Sequence, residues 1–368
     1  MWSSTRPVHL FDFVIIGGGF AAWTCAVTLR MSGYSVAIMS RDERNLAIGE
    51  YLPSEGVFAL KRLGIGSLLN HPAHRPSPGV ISLWNGPSPT VKPVLSMPGG
   101  RAFNLDRRVF SQELKERAAE LGVTHFKLIG PPNLMWRANH WHINQGVSKT
   151  PLFAKHLVDA TGRSAILARK SAIPIIRHDN LVGLAAMFEN ITVEDAFLRV
   201  EALSNGWAYA APLSEDRLVF VFLTDAKTLP PAIGQQRKQL IIDELSESKL
   251  IAPILGKGDI QGIKFQPLPA WSQLTKLNTE TNWTAIGDAA MSFDPLASAG
   301  MTKALLDIGD LRNISDKKIT PEQLQKKRAQ RYETYRTNLT KNYQAADRQN
   351  SAFWRHRSVS HLEHFNLI

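Results

Sequence analysis

The sequence predicts an α/β fold in which a Rossmann-like domain is interleaved with an antiparallel-sheet domain and followed by a C-terminal helical segment. Three observations carry this expectation. Residues 11–33 read as strand, glycine turn and helix. Residues 176–275 contain short runs alternating in the two-residue period of half-buried strands. Residues 321–357 are basic and place tyrosines at helical spacing.

Length and composition bound the possibilities. A chain of 368 residues has room for two or three domains and an ample core. With 44% hydrophobic and 20% charged residues it falls among globular proteins rather than disordered ones. No apolar run approaches transmembrane length, so no membrane association is expected. The apolar run at 11–16 is too short for a signal-peptide core, and the expected compartment is cytoplasmic. The single cysteine, Cys25, excludes an internal disulfide and a cysteine metal cluster, and reads as a small core residue on the first helix. His71 and His74 lack a third ligand and read as loop histidines, so no metal is expected. The formal charge is +11, and residues 300–368, with 13 Lys/Arg against 7 Asp/Glu, hold more than half of it. No nucleic-acid motif accompanies this excess. It is either a solvated helical face or a docking surface for an acidic partner.

In chain order, Phe11–Ile16 is the first strand and Gly17-Gly18-Gly19-Phe20-Ala21-Ala22 fits GxGxxG/A. Glycines at 17 and 19 let backbone approach a pyrophosphate, and the helix opened by Phe20, Ala21 and Ala22 supplies free N–H groups. Residues 35–39 form the second strand. Where that strand ends, an acidic residue commonly holds the adenosine ribose. Here Ser40 and Arg41 stand in its place, with Asp42 and Glu43 beyond. Arg41 is a candidate for adenine or phosphate. Gly49 and Pro53 bracket Glu50, which either caps a helix or points into the cofactor cleft. A helix is expected from Pro53 or Ser54 through Leu63.

Residues 70–100 are rich in Pro and Gly and hold one strand, Gly79 to Trp84. Arg107, Phe110 and Leu114 begin a helix to Leu121. Phe110 and Leu114 anchor it, leaving Arg107 for a phosphate or ribityl chain. Short strands at 123–128, 133–137 and 141–143 read as a hairpin set. The strand 153–159 ends in Asp159-Ala160-Thr161-Gly162-Arg163-Ser164, a small-residue turn that admits close backbone approach. Further strands fall at 181–188, 197–203, 207–211 and 217–224. Trp207 and Tyr209 share one face, lining a pocket or filling a core. A helix at 234–249 and a strand at 260–267 follow. Trp283–Ile286 leads into Gly287-Asp288-Ala289-Ala290, whose carboxylate suits ribityl hydroxyls. Asp294-Pro295, Ala299, Gly300 and Met301 then open a helix whose N-terminus faces a ligand. The expected domains are 8–75, 101–165 and 276–320 for the nucleotide, 76–100 and 166–275 for the substrate, and 321–368 as the helical segment.

GGGFAA, DATGRS and GDAA…FDP…AGM, with Arg107 between the first two, resemble the flavoprotein superfamily of p-hydroxybenzoate hydroxylase and the flavin-dependent tryptophan halogenases. GEYLPSEGVFALKRLG, NLDRRVFSQEL, GWAYAAPLSEDRLVFVFLTD and YQAADRQNSAFWRHR are similar to one subgroup. That subgroup is the LodB/GoxB type, flavoproteins that mature tryptophylquinone amino-acid oxidases. The resemblance implies a glutathione-reductase-type FAD domain, FAD as cofactor and molecular oxygen as co-substrate. It implies a precursor glycine or lysine oxidase as protein substrate, hydroxylated at one tryptophan, with electrons from NAD(P)H or a separate reductase. Glu50 and Asp294 would lie near the isoalloxazine, and Trp207 and Tyr209 on the substrate side. The halogenase pattern fits less well. WxWxIP is here Trp207-Ala-Tyr209-Ala-Ala-Pro212, and the stretch Ser77–Leu83 lacks the lysine those enzymes carry. The alternatives are hydroxylation or halogenation of a small aromatic metabolite, and a non-catalytic docking subunit.

Overall fold

A computed structural model describes residues 9–41, 50–144, 152–230, 235–255, 262–276, 282–346 and 351–359. The chain begins with β1 (His9–Ile16), α1 (Phe20–Met31) and β2 (Val36–Ser40). Then come β3 (Glu50–Leu52), α2 (Ser54–Arg62), β4 (Arg75–Ser77), β5 (Gly79–Leu83), β6 (Thr90–Pro93) and β7 (Ala102–Leu105). Next are α3 (Arg107–Glu120), β8 (Thr124–Lys127), β9 (Asn133–Arg137), β10 (His140–Asn144), β11 (Leu152–Asp159) and α4 (Ile166–Lys170). The middle of the chain supplies β12 (Ile175–Arg177), β13 (Leu181–Glu189), β14 (Leu198–Leu203), β15 (Gly206–Pro212), β16 (Arg217–Asp225), α5 (Gln235–Ser246) and α6 (Ala252–Leu255). The last elements are β17 (Gln266–Pro269), β18 (Gln273–Thr275), β19 (Trp283–Ala285), β20 (Met291–Ser292), α7 (Gly300–Ser315), α8 (Pro321–Gln344) and α9 (Ala352–Val359).

The expected α/β architecture is present. Strands β8, β2, β1, β11 and β19 run parallel in that order, and the β9–β10 hairpin extends the first half of β11. The chain winds outward from β1 to β2 and β8, then crosses to β11 on the other side. A reversal of this kind opens a crevice at the carboxyl ends of the strands. Helices α1, α2, α3 and α7 cover one face of the sheet. Helix α1 can lie this close because its buried positions include Ala22, Cys25 and Ala26. Burial pushes the Cys25 thiol up and keeps it protonated.

A second, seven-stranded sheet has the order β17-β13-β16-β15-β14-β5-β6, antiparallel except between β14 and β5. Its strands alternate between two cores. One is closed by α5 and α6, the other by α8 and α9. Trp207 belongs to the second core, together with Tyr332, Tyr335, Leu339 and Tyr343 of the basic helix. The apolar stripe on that helix therefore packs on the body of the protein, while its lysines face outward.

The expected C-terminal helical segment is present as two packed helices, α8 and α9. Three expectations need correction. The stretch at 123–128 is no part of a hairpin, because β8 pairs parallel with β2 and only β9 and β10 form the hairpin. The returning strand begins at Gln266, later than the expected 260, and residues 260 and 261 lie outside the described residues. Glu50 sits in a strand, with β3 pairing it to Leu105, rather than in a loop or at the start of a helix. Gly49 lies outside the described residues, and only the backbone of Glu50 is described. No helix among the described residues is long and apolar enough to cross a membrane, and no metal-binding cluster occurs among them.

The tightest constraint in this sheet is at Gly17. It has φ +136°, and a Cβ there would sit 2.2 Å from the carbonyl oxygen of Ala160. Gly17→Ala is expected to destabilise the protein by about 2–4 kcal/mol, since both strain and collision act at one residue. Chemical denaturation measures this directly.

Candidate functional site

Three turns meet at the carboxyl ends of three adjacent parallel strands. Ile16 is in register with Asp159, and Asp159 with Ala285, so the turns that follow start at one level. The N–H of Ala160 donates to Ile16 O (2.8 Å), and that of Ile286 to Asp159 O (2.9 Å). Gly287 lets the third turn lie against α1, since a Cβ there would be 3.2 Å from Ala21 Cβ. The glycine turn with Phe20, Ala21 and Ala22, the Ala160-Thr161-Gly162 turn and the Gly287-Asp288 turn thus line one cleft.

The cleft's walls suit an anionic dinucleotide. Helices α3 and α8 are capped by their own sequence. Asp106 accepts from Arg108 N and Val109 N, and Thr320 forms a capping box with Gln323. Helices α1 and α7 have neither a capping side chain nor an acid in the first turn. A Cβ built on Gly19 or on Gly300, at the starts of these two helices, meets nothing within 4 Å. Two dipole ends with open approach are what a pyrophosphate or a carbonyl edge requires. Arg107, opening α3, holds its guanidinium 5.6 Å from the Phe20 ring centroid, beside the start of α1. Asp106, next to it, pairs with Arg217 of β16 (3.2 Å) and so ties this arginine's helix to the second sheet.

The turn acids have distinct duties. Asp159 is buried and accepts from Thr161 N (3.0 Å), Thr161 Oγ1 (2.6 Å) and Leu167 N (2.7 Å), which shapes the DATGRS turn. Burial pushes its carboxyl up despite these bonds. Asp288 is half-buried and faces the cleft. It pairs with Arg163 (2.7 Å) and Lys303 (2.9 Å). Burial alone would raise its carboxyl, but Lys303 and Arg163 outweigh that and hold it below the usual value. An ionised carboxylate has about four acceptor positions, so hydroxyls can still bind. Sequence reasoning missed Lys303. The signal was available, because a lysine in the first turn of a helix opposes the dipole and needs a partner.

At the carboxyl end of β2, Ser40 is buried, its Oγ 2.8 Å from His125 Nε2, and Arg41 is exposed. Ser40 therefore carries a bond inside the protein where an acid usually reaches outward.

Asp294 stands apart from the cleft-lining groups because it is fully covered. Its Oδ1 accepts from Leu296 N (2.9 Å), and its Oδ2 from Tyr343 Oη (2.7 Å) and Arg357 Nη1 (3.3 Å). Its own N–H donates to Tyr335 Oη (2.7 Å), and the Tyr335 ring stacks on Phe293 at 3.9 Å. The loop carrying Pro295 and Ala299 towards Gly300 and Met301 is thus held from behind by α8 and α9. Arg357 also pairs with Asp179 (3.2 Å), so one buried guanidinium serves two carboxylates. Burial raises Asp294 to about 6, against the pull of Arg357 and with the push of Asp179. Trp207 is 1% exposed and donates to Tyr343 Oη (3.1 Å), which makes its indole a core contact. Tyr209, 6.2 Å from Trp207 between ring centroids, is only half-buried.

The tryptophan halogenase family model matches residues 91–365. The chain belongs to that family. This tryptophan halogenase family member is 28% identical to LodB of Marinomonas mediterranea, described as an FAD-dependent oxidoreductase, over 96% of this chain and 99% of LodB. Among solved structures, the peptidyl tryptophan dihydroxylase QhpG superposes with TM-score 0.75 at 24% identity, covering 94% of this chain and 78% of that one. The flavin-dependent halogenase CmlS superposes with TM-score 0.80 at 19% identity, covering 96% and 68%. These two show the same fold, and the resemblance to the LodB type holds.

Two outcomes follow from the Asp294 cluster. A carboxyl raised from 3.8 to about 6 on folding favours the folded state at low pH, and that contribution disappears as pH climbs through 6. The melting temperature of the native protein relative to Asp294→Asn should therefore fall as pH rises from about 4 to about 6 and level off above about 7, as scanning fluorimetry from acid to neutral pH would register. Arg357→Met leaves two buried carboxylates without their cation and should cost about 3–5 kcal/mol in urea denaturation at pH 8.

Proposed function

We propose that the protein is an FAD-dependent monooxygenase that hydroxylates one tryptophan of a precursor protein, a step towards the tryptophylquinone cofactor of a partner amino-acid oxidase. The carrying observation is the end-to-end match to LodB, which spans both sheets and the C-terminal helices. QhpG, a peptidyl tryptophan dihydroxylase essential for tryptophylquinone cofactor biogenesis, has the same fold. FAD is the cofactor. The first sheet and its helices hold it, and the seven-stranded sheet faces the substrate.

The chain's own residues divide the work. Gly17, Gly19, Phe20, Ala21 and Ala22 present backbone to the pyrophosphate, and Arg107 supplies the cation. Ala160, Thr161 and Gly162 close the second wall. Gly287 and Asp288 take ribityl hydroxyls, with Lys303 and Arg163 fixing the carboxylate. Pro295, Ala299, Gly300 and Met301 bring the α7 N-terminus to the flavin's polar edge, and Asp294 holds that loop in place. Arg41 covers the adenine end. Glu50 is a candidate beside the isoalloxazine, and Tyr209 flanks the substrate side. When bound, FAD supplies the electron transfer to molecular oxygen that an aromatic hydroxylation needs. The protein's part is to orient the indole and exclude water. NAD(P)H binding transiently, or a separate reductase, delivers the electrons.

Hydroxylation is favoured over halogenation by one feature of β5 and its approach. Ser77–Leu83 contains no lysine to carry an electrophilic halogen. The second reading is hydroxylation or halogenation of a small aromatic metabolite, supported by the flavin-dependent halogenase of Armillaria mellea, 25% identical over 83% of this chain.

Co-expression with a tryptophylquinone oxidase precursor, followed by peptide mass spectrometry, should reveal added oxygen at one tryptophan. Unmodified tryptophan beside FAD-loaded protein would sink the protein-substrate reading, and turnover of free indoles without a partner would favour the second. Gly19→Val should cost no more than about 1 kcal/mol, the loss of a glycine N-cap, because Gly19 has an ordinary extended backbone. It should weaken FAD retention at least about tenfold in equilibrium dialysis, since the valine fills the pyrophosphate's approach.

A further inference from the structure

Behind the cleft lies an aromatic cluster with no part in the reading above. Tyr343 of α8 is fully buried and joined to Asp294 at 2.7 Å and to the Trp207 indole N–H at 3.1 Å. Ring centroids separate Tyr343 from Trp354 by 5.9 Å and from Trp84 by 6.4 Å. Trp84 lies 5.3 Å from Trp354 and 6.1 Å from Trp207. Trp84 is the half-buried member at the outer edge, its indole N–H on Asn342 O at 2.7 Å. A continuous row of the two most readily oxidised ring side chains thus runs from the loop beside the cleft to the surface.

We propose that Tyr343 and Trp84, with Trp207 and Trp354 packed between them, form a one-electron relay that drains oxidising equivalents from the cleft when no substrate accepts them. This rests on the reading that oxygen is reduced in the cleft. The cleft end of the relay is defined by contact. Asp294 belongs to the loop between the Asp288 turn and α7, and Lys303, which holds Asp288, lies 5.3 Å from the ring of its neighbour Phe293.

The chemistry balances within the cluster. Tyr343 gives one electron to superoxide, the product of one-electron reduction of oxygen in the cleft, which takes two protons from solvent and leaves as hydrogen peroxide; the Tyr343 phenolic O–H bond breaks as its proton moves to Asp294 Oδ2. Trp84 then returns an electron to Tyr343, directly or through Trp354, and the proton goes back from Asp294. A thiol-class reductant in solution restores Trp84 with one electron. The net transfer is one electron from that reductant to the cleft. Asp294 suits the proton because the cluster holds two carboxylates and one guanidinium. Protonating Asp294 leaves Arg357 and Asp179 as a neutral pair, whereas protonating neither leaves a buried net negative charge. Its carboxyl, raised to about 6, has the proton affinity the role needs.

The test is freeze-quench electron paramagnetic resonance on FAD-loaded full-length protein, chemically reduced and mixed with oxygen without substrate, with catalase present and oxygen uptake followed in parallel. The parent protein should give a tryptophanyl radical, and Tyr343→Phe should lower its yield at least fivefold while oxygen uptake continues. An equal yield in Tyr343→Phe, or uptake with no protein radical in the parent, overturns the relay alone. Absence of uptake overturns both the relay and the oxygen reading. Should Tyr343→Phe fail to fold, Trp84→Phe decides. A protein radical that added thiol quenches at least about fivefold more slowly than in the parent supports the relay, and unchanged quenching overturns it.

Discussion

The level alignment of β1, β11 and β19 is the constraint on which the other features depend. Their registers end the three strands together, and each strand is followed by a turn of small residues. Because the strands are only a sheet spacing apart, the turns can meet only if side chains are absent at the contacts. Gly17 against Ala160 is the clearest case. Given that alignment, the starts of α1 and α7 fall on one cleft and Arg107 comes to the same place. A slip of one residue in β11 would move Asp159 to the other face and dissolve the DATGRS turn.

The C-terminal helices belong to the site's foundation rather than to its margin. Tyr335 and Tyr343 from α8 and Arg357 from α9 hold the backbone and carboxylate of Asp294. The same arginine reaches Asp179, just ahead of β13 in the seven-stranded sheet. One guanidinium therefore couples the loop that precedes α7 to the seven-stranded sheet. Burying three charges together is costly unless each is matched, so this junction tolerates little rearrangement.

Much of the fold was legible because its signals are local. A six-residue apolar run before three glycines, alternation in β13 to β16, and Pro321 at a helix start all follow from backbone preferences. The parallel partner of β8 was not legible, because nothing in Thr124–Lys127 distinguishes a sheet edge from a hairpin arm. Nor was the break between α8 and α9, because the helically spaced tyrosines end at Tyr343, inside α8, and mark no boundary. In the site, the glycine turns and Arg107 announced themselves through spacing. Arg163 and Arg357 did not, since a buried ion pair is a relation between distant positions. Trp207 and Tyr209 were placed on one face correctly, yet what covers that face was set by α8, more than a hundred residues later.

The two uncapped helices give the protein a dependence on its surroundings. Helices α3 and α8 satisfy their first N–H groups with Asp106 and Thr320, but α1 and α7 leave theirs to whatever occupies the cleft. A ligand that fills those positions adds RT ln(1 + [L]/Kd) to the folding free energy, about 2.7 kcal/mol at a hundredfold excess over Kd. Flavin supply would then govern how long the polypeptide survives proteolysis, so that cellular abundance of the protein becomes a gauge of cofactor availability.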